Sequence, residues 1–570
     1  MRTFAALVLL IFVQLPNAAH SKAPPRMPPE AVCSQHERGW SPDERVVWKT
    51  ACKAQGPYRE DSMDDSKPPV IRAEFLRDLL TKKIYSEKLS LTGLGLSRVR
   101  VREDVWLNQL TIPGGLWFDN VTFEDPVHLD GTRVQGPVEF NRSEVPKLTI
   151  QGATIQGALT VSSTAIVLAK GAHIEGDLMI DGGISPEEVR LADRERPLHP
   201  VEGTPSYGSP SLRLAGARVE GGIVLQHLPS LCKVDAKYME VKGPISVVDS
   251  GVDNLEDLGR HQRPSNLTVD MSHVEATQDL VIRQSDVGVL NLNEAKIKGS
   301  FRAEASAFQR IDAQGVRITQ EFVLDPFDTE SAGGRRPRSE NIAAGAKWWP
   351  GASSLDLSNA RMSRIVSPRS LEVWPESIMI RDARFDSFIS YPAVRTGMET
   401  VELAEDEWLK DWLARATKKR FDPQPYQQVT SMATMSGLDA IAVTVGFAKR
   451  ERERCAACEH FFKTGLDCVY LTFSRLVIGY GYHYFRTVLI ALGFILLGTI
   501  GFRFVPQADR KGLRYGVAYS LDMFLPVINL RKRHENVDIS NGIRYYFYVH
   551  KLAGWIIGIF LAAGLAGFTK

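Results

Sequence analysis

Cysteine is scarce in this chain: six residues among 570, too few for a disulfide framework to stand in for a hydrophobic core. An excess of one charge is missing too. Lys and Arg number 69 against 67 Asp and Glu, a net +2, which argues against a nucleic-acid-binding body, so no nucleic-acid partner is expected. No phosphate-cradling loop, dinucleotide Gly-rich turn or Ser-His-Asp arrangement emerges, and no cofactor is expected. Two-residue hairpin signals are sparse, as at Asp130-Gly131 and Asp181-Gly182. Antiparallel sandwiches and barrels need many such turns.

What the chain has instead is a recurring heptapeptide: aliphatic, any, Gly, any, aliphatic, any, aliphatic. It reads VQGPVEF at 134–140, IQGALTV at 155–161, IEGDLMI at 174–180, VEGGIVL at 219–225, VKGPISV at 241–247 and IKGSFRA at 297–303, with IPGGLWF at 112–118 as a first copy. Period-two alternation marks short half-buried strands, and the glycines read as corners where the backbone needs freedom. Equivalent positions recur about every 20 residues, the length of one turn of a parallel β-helix whose coils bury each other's inward residues. The expected fold is mainly β: a parallel β-helix solenoid over 90–395, with an N-terminal helical cap at 70–89. Ile71, Phe75, Leu79 and Leu80 share one face of that cap.

Three polar segments break the rhythm, at about 182–211, 249–265 and 325–353; insertions in solenoids emerge on one side, often the binding side. The third carries Arg335, Arg336 and Arg338 with Trp348 and Trp349, the candidate binding surface for a partner or glycan; a solvated loop with a tucked Trp pair is the favoured alternative. Asp119, Glu124, Asp125 and Asp130 lie in neighbouring coils, and a close carboxylate group there would point to a polysaccharide-acting enzyme; their spread favours a solvated face.

The two ends of the chain speak of a membrane. Residues 1–21 combine Arg2, an apolar run from Ala5 to Leu15 and small residues near Ala19, the layout of a signal peptide. An exported lead-in over 22–69 follows, where Cys33 and Cys52 are the candidate disulfide. Near the other end, helices are expected over 396–485, then a membrane domain over 486–570 with spans at 488–505 and 548–568. The loop 506–545 holds Arg510, Lys511, Arg514, Arg531, Lys532, Arg533 and Arg544 and is expected on the cytoplasmic side of a bacterial inner membrane, which leaves the β-helix periplasmic. The half-apolar stretch 512–530 reads as re-entrant or interfacial. VIGYG at 477–481 has a channel-filter look but precedes the first span, where a filter does not belong. The KRERER run at 449–454 reads as a salt-bridged helix able to lean on anionic lipid.

Cys455, Cys458, His460 and Cys468 are the one cluster with metal-like spacing. Three thiolates and an imidazole suit zinc, while CAACEH misses a c-type haem attachment string because Glu459 stands where the His belongs. Disulfide pairing or simple burial competes with both.

FDPQPYQQV (421–429), KRERER, GYGYHYFR (479–486), AYSLDMFLPVINL (518–530), Gly554-Trp555 and the IRAEFLRDLL cap (71–80) resemble bacterial membrane proteins that carry pentapeptide-like β-helical repeats before a two-helix tail. The resemblance covers roughly residues 70–570 and implies no activity. The chain differs from many members by its signal peptide and its lack of a strict five-residue period. The expectation is a non-catalytic, membrane-anchored periplasmic scaffold or binding protein, touching lipid and an envelope protein or glycan. The alternatives are a polysaccharide-acting enzyme on the same fold and a small channel-like protein.

Overall fold

The computed structural model describes residues 33–34, 36–53, 68–89, 93–182, 211–251, 265–325, 348–391, 404–417, 421–459, 461–482, 484–506, 510, 516–525, 537, 539 and 542–565. The expected signal peptide, Arg335, Arg336, Arg338, His460 and most of the loop 506–545 lie outside them.

Between them the described residues form a parallel β-solenoid of about eleven turns followed by a helical region. One coil runs through Arg133–Val134, turns at Gly136, continues through Val138–Asn141, turns at Arg142, crosses Val145–Thr149 and turns at Gly152. The fifth position of the heptapeptide forms a continuous inward column. Leu94, Leu116, Val138, Leu159, Leu178, Ile223, Ile245, Leu280, Phe301 and Phe322 pair successively in register, each at most 3% exposed. Rings stack along the axis as well, Phe118 on Phe140 at 4.9 Å and Phe301 on Phe322 at 5.0 Å. No single coil buries these side chains, so stability is the sum of neighbouring contacts.

The three inserts leave this column intact. Leu178 pairs directly with Ile223, Ile245 with Leu280, and Phe322 with Ile365. All three depart after the same strand of their coil, following Asp181, Val248 and Asp325, so their exit points share one edge of the rod.

The heptapeptide glycines have a different role from the one their pattern suggests. Gly136, Gly157, Gly176, Gly221, Gly243 and Gly299 are absent from the positive-φ residues. Proximity between coils requires them: a Cβ at Gly157 would lie 2.7 Å from Pro137 N, and one at Gly176 2.5 Å from Ala158 N. Conformational freedom matters at another corner, where Gly152 sits at φ +62° with open space around it. Equivalent corners are occupied by Tyr238, His273, Glu294, Asn359 and Asp382 at positive φ. The remaining corner buries serines. Leu228 N–H donates to Ser250 Oγ, Ser250 N–H to Ser285 Oγ and Ser285 N–H to Ser306 Oγ, each 3.2 Å, and each hydroxyl donates to a carbonyl two residues back. These hydroxyls satisfy backbone groups where the turn interrupts the ladder.

Both ends of the rod are covered, as exposed strand edges require. At the first end, α1 (Pro42–Lys53), α2 (Ala73–Thr81) and α3 (Lys83–Leu89) pack Trp40, Trp48, Phe75 and Tyr85 together, and Cys33 is bonded to Cys52. The expected single cap helix is two helices parted at Lys82, and Ile71 pairs with Val101 in a short strand instead of joining the helix. Ser41 and Glu44 form a capping box: Ser41 N–H donates to Glu44 Oε2 at 2.7 Å and Glu44 N–H to Ser41 Oγ at 3.1 Å. Glu44 is fully buried and also accepts from Arg72 N, Nε and Nη2. Burial alone would raise its pKa; the bonds from Arg72 and the backbone of Ser41 and Arg72 outweigh it and hold the carboxyl below its ordinary 4.5. A depressed carboxyl stabilises fully above that ordinary value and stops doing so as pH falls through its lower folded value. Glu44→Gln keeps the cap geometry and removes the charge. It should cost about 2 kcal/mol at neutral pH, less than a wholly buried pair because the Arg72 side chain is 42% exposed. The gap in unfolding midpoint between variant and wild type should close on acidification from pH 7 to pH 3; a constant gap would contradict this assignment.

At the other end, α4 (Glu405–Ala416) and α5 (Pro423–Met435) cover the last coils. Gln424 Nε2 donates to Ala383 O at 3.3 Å, Gln428 Nε2 to Phe385 O at 2.8 Å, and Gln424 Oε1 accepts from Asp382 N. Gln424 and Gln428 of FDPQPYQQV thus occupy backbone groups at the start of the terminal strand (Arg384–Tyr391) and in the turn before it. Then come α6 (Asp439–Glu459), α7 (Phe461–Ile478), α8 (Tyr484–Phe502), α9 (Gly516–Phe524) and α10 (Ile543–Leu565). Among the described residues one helix is long and apolar enough to cross a membrane, over Phe485–Phe502, with mean hydropathy 2.0 and 17% of it buried. The described part of the second expected span, 548–565, falls in α10, whose first half carries Arg544, His550 and Lys551. Helix α9 lies within the segment read as re-entrant. It approaches α8 and α10 closely at two glycines: a Cβ at Gly498 would strike Ser520, and one at Gly554 the Phe524 carbonyl.

Candidate functional site

A groove of about 990 Å³ lies where the C-terminal helices meet the solenoid. Its floor is the outer side of three strands, Ala307–Asp312, Ser354–Asp356 and Ser377–Met379, joined in parallel. Its wall is the last turn of α4 and the first of α5. Outward positions of a half-buried sheet carry polar side chains by alternation, so Arg310, Ser354 and Ser377 reach the groove while Ile311, Leu355 and Ile378 are buried.

Three guanidiniums line it. Arg310 Nε meets Asp312 Oδ1 at 2.7 Å, and that carboxylate raises the pKa of Arg310. Arg381 Nε stands 3.7 Å from Asp422 Oδ2. Arg415 is held through Nη1 by backbone carbonyls alone, Leu371 O at 2.7 Å and Trp374 O at 3.0 Å. Burial lowers its pKa, and the nearby Glu376 opposes that shift. Arg415 borders the groove alongside Ser353, Ser354, Ser358, Ser377 and the exposed Met379, with Ile378 and Ile380 buried beneath. Three acids also line it: Asp422 is the N-cap of α5, accepting from Gln424 N at 3.0 Å, Asp312 is bound to Arg310, and Glu376 is exposed near Arg415. Cations, hydroxyls and one exposed apolar side chain, Met379, suit an anionic, hydroxyl-bearing ligand lying along the sheet.

The residues singled out in the sequence fare differently. Trp348 and Trp349 are 7% and 9% exposed, which fits the tucked pair and leaves neither ring on a binding surface. Trp349 Nε1 donates to Val373 O at 2.7 Å and its ring lies 5.8 Å from Phe308, so the pair fills the core where the third insert rejoins the rod. Asp119 pairs with Arg142 at 2.7 Å, Glu124 approaches Arg100 and Arg102, Asp125 accepts from Glu103 N, and Asp130 accepts from Thr149 Oγ1 and Gln151 N. Each bridges neighbouring coils. VIGYG closes α7 with a tight turn, where Tyr480 sits at φ 57° and its hydroxyl donates to Glu451 Oε2 at 2.9 Å.

The zinc set read from the sequence is not assembled. Cys458 is bonded to Cys468, which consumes two of the three thiols, and Cys455 is free and exposed; zinc takes thiolates, not disulfide sulfurs. Among the described residues no group of three His, Cys, Asp or Glu could hold a metal ion. Cys232 is buried in the rod, where desolvation pushes its thiol up to about 12.

Arg310, Arg381 and Arg415 carry no local sequence signal, because the groove joins segments over a hundred residues apart. No family model, no curated protein and no solved structure matches the chain.

Proposed function

We propose that the chain is a non-catalytic binding protein of the bacterial envelope, held in the inner membrane and presenting its solenoid to the periplasm. Two spans, α8 and the apolar part of α10, form the anchor. At about 1.5 Å per residue, the 19 residues of α8 reach roughly 28 Å, close to the thickness of the hydrocarbon core. The basic loop 506–545 lies on the cytoplasmic side. Protease added to intact spheroplasts should remove the solenoid, and complete protection would overturn this topology.

The observation that carries the binding role is the groove, which sets three guanidiniums and several serines beside the exposed Met379, while two of its three carboxylates, Asp422 and Asp312, are tied to a helix cap and an ion pair. Its ligand is an acidic glycan of the envelope. Arg415→Ala should weaken binding to an acidic-glycan array about 10- to 100-fold, the equivalent of roughly 1.5–3 kcal/mol for hydrogen bonds to a charged partner. A turnover assay on the same glycans should find no product. Measurable cleavage would replace this reading with a polysaccharide-acting enzyme.

A further inference from the structure

The stretch between α6 and α7 holds three cysteines that the binding role does not use. The bond between Cys458 and Cys468 staples the last turn of α6 to the second turn of α7 across the break between the helices. At this junction Thr464 leaves the helical conformation, and its hydroxyl donates to Ala457 O at 2.7 Å. Cys455 stands one helical turn before Cys458, exposed and unbonded to sulfur, with Arg454 Nη2 at 3.8 Å from its Sγ and Glu451 bound to the same guanidinium. Residues three apart on a helix share a face with Cβ atoms about 5–6 Å apart, so a bond between them requires the last turn of α6 to tighten by about 1–2 Å. Cys458 and Cys468 are half-buried, so solvent reaches the bond.

We propose that Cys455, Cys458 and Cys468 form a thiol–disulfide exchange site that latches α7 to α6. The Cys455 thiolate attacks Cys458 Sγ. A Cys455–Cys458 bond forms, the Cys458–Cys468 bond breaks, and its electron pair leaves on the Cys468 thiolate, which takes up a proton. One thiol and one disulfide enter and one of each leaves, so no external oxidant is needed. The exchange replaces a staple between two helices by a loop inside α6, and frees α7 at the point where the solenoid's stem meets the membrane helices. Cys232, sealed in the rod, takes no part.

Disulfide mapping by peptide mass spectrometry of the full chain in detergent tests this, with free thiols alkylated before and after equilibration in glutathione buffer near pH 8. Before equilibration the label should sit on Cys455. Afterwards a Cys455–Cys458 peptide should appear and label should move to Cys468. Cys455→Ser should retain the Cys458–Cys468 bond and show no movement, whereas Cys468→Ser should form Cys455–Cys458 on oxidation. Label confined to Cys455 throughout would overturn the proposal, as would a folded Cys468→Ser protein with both remaining thiols reduced. If Cys468→Ser does not fold, the wild-type label alone decides.

Discussion

Gly176→Val is expected to leave little folded solenoid, while Gly152→Asn should be nearly silent. The two glycines are 24 positions apart and equally conspicuous in the sequence. At Gly176 an added Cβ meets Ala158 N at 2.5 Å and Gly157 C at 2.6 Å, backbone atoms of the preceding coil that no rotamer change can move. Gly176 N–H also donates to Gly157 O at 3.0 Å, so relief requires opening the distance between coils and losing that bond. The cost is about 3 kcal/mol or more, at the upper end for overpacking. At Gly152 nothing lies within 4 Å of the new Cβ, and only the left-handed backbone must be tolerated. Asparagine visits that region readily, as Asn359 does at the same corner of a later coil, so the cost stays below about 1 kcal/mol. Thermal unfolding followed by circular dichroism of the full chain compares them. Equal destabilisation would mean that the heptapeptide glycines are conformational after all.

That contrast shows how far the sequence is legible. Period-two alternation exposes the inward column from Leu94 to Phe322, because burial on one face of a strand leaves a mark at every second residue. The caps are readable for a similar reason, as Phe75, Leu79 and Leu80 repeat at helical spacing. The cause behind each glycine is not readable, since closeness between coils and left-handed backbone both select the same residue. Trp348 and Trp349 are legible as a tucked pair by their bulk, but not the place they fill, which depends on strands 307–312 and 354–356. Arg310, Arg381 and Arg415 escape notice because each is an ordinary outward arginine until the helices α4 and α5 fold back over the sheet. The partner of Cys458 is likewise set by the turn between α6 and α7, which spacing alone leaves open among three thiols.

Trp412→Ala should unseat the C-terminal cap and empty the groove of its function while sparing the first half of the rod. Trp412 is fully buried, 5.2 Å from the Trp374 ring and 5.3 Å from Phe388, with Trp408 also against Phe388 at 5.1 Å. Truncation removes one of the three tryptophans of this cluster and leaves a cavity that α4 cannot close, at about 3–5 kcal/mol. The same helix carries Arg415 one turn further on, and its grip on Leu371 O and Trp374 O depends on that seat. Ligand affinity should therefore fall as it does for Arg415→Ala. Solenoid stability is built from neighbouring coils, so hydrogen-exchange protection should drop over 361–391 and persist over 116–161. Trp412→Phe separates packing from polarity. The Nε1 of Trp412 is buried with no hydrogen-bond partner, so phenylalanine loses ring area but also removes an unsatisfied donor. Its cost should stay below about 1.5 kcal/mol, with binding retained. Uniform loss of protection along the rod in Trp412→Ala would show instead that the coils unfold as one unit, and that the cap supports the whole solenoid.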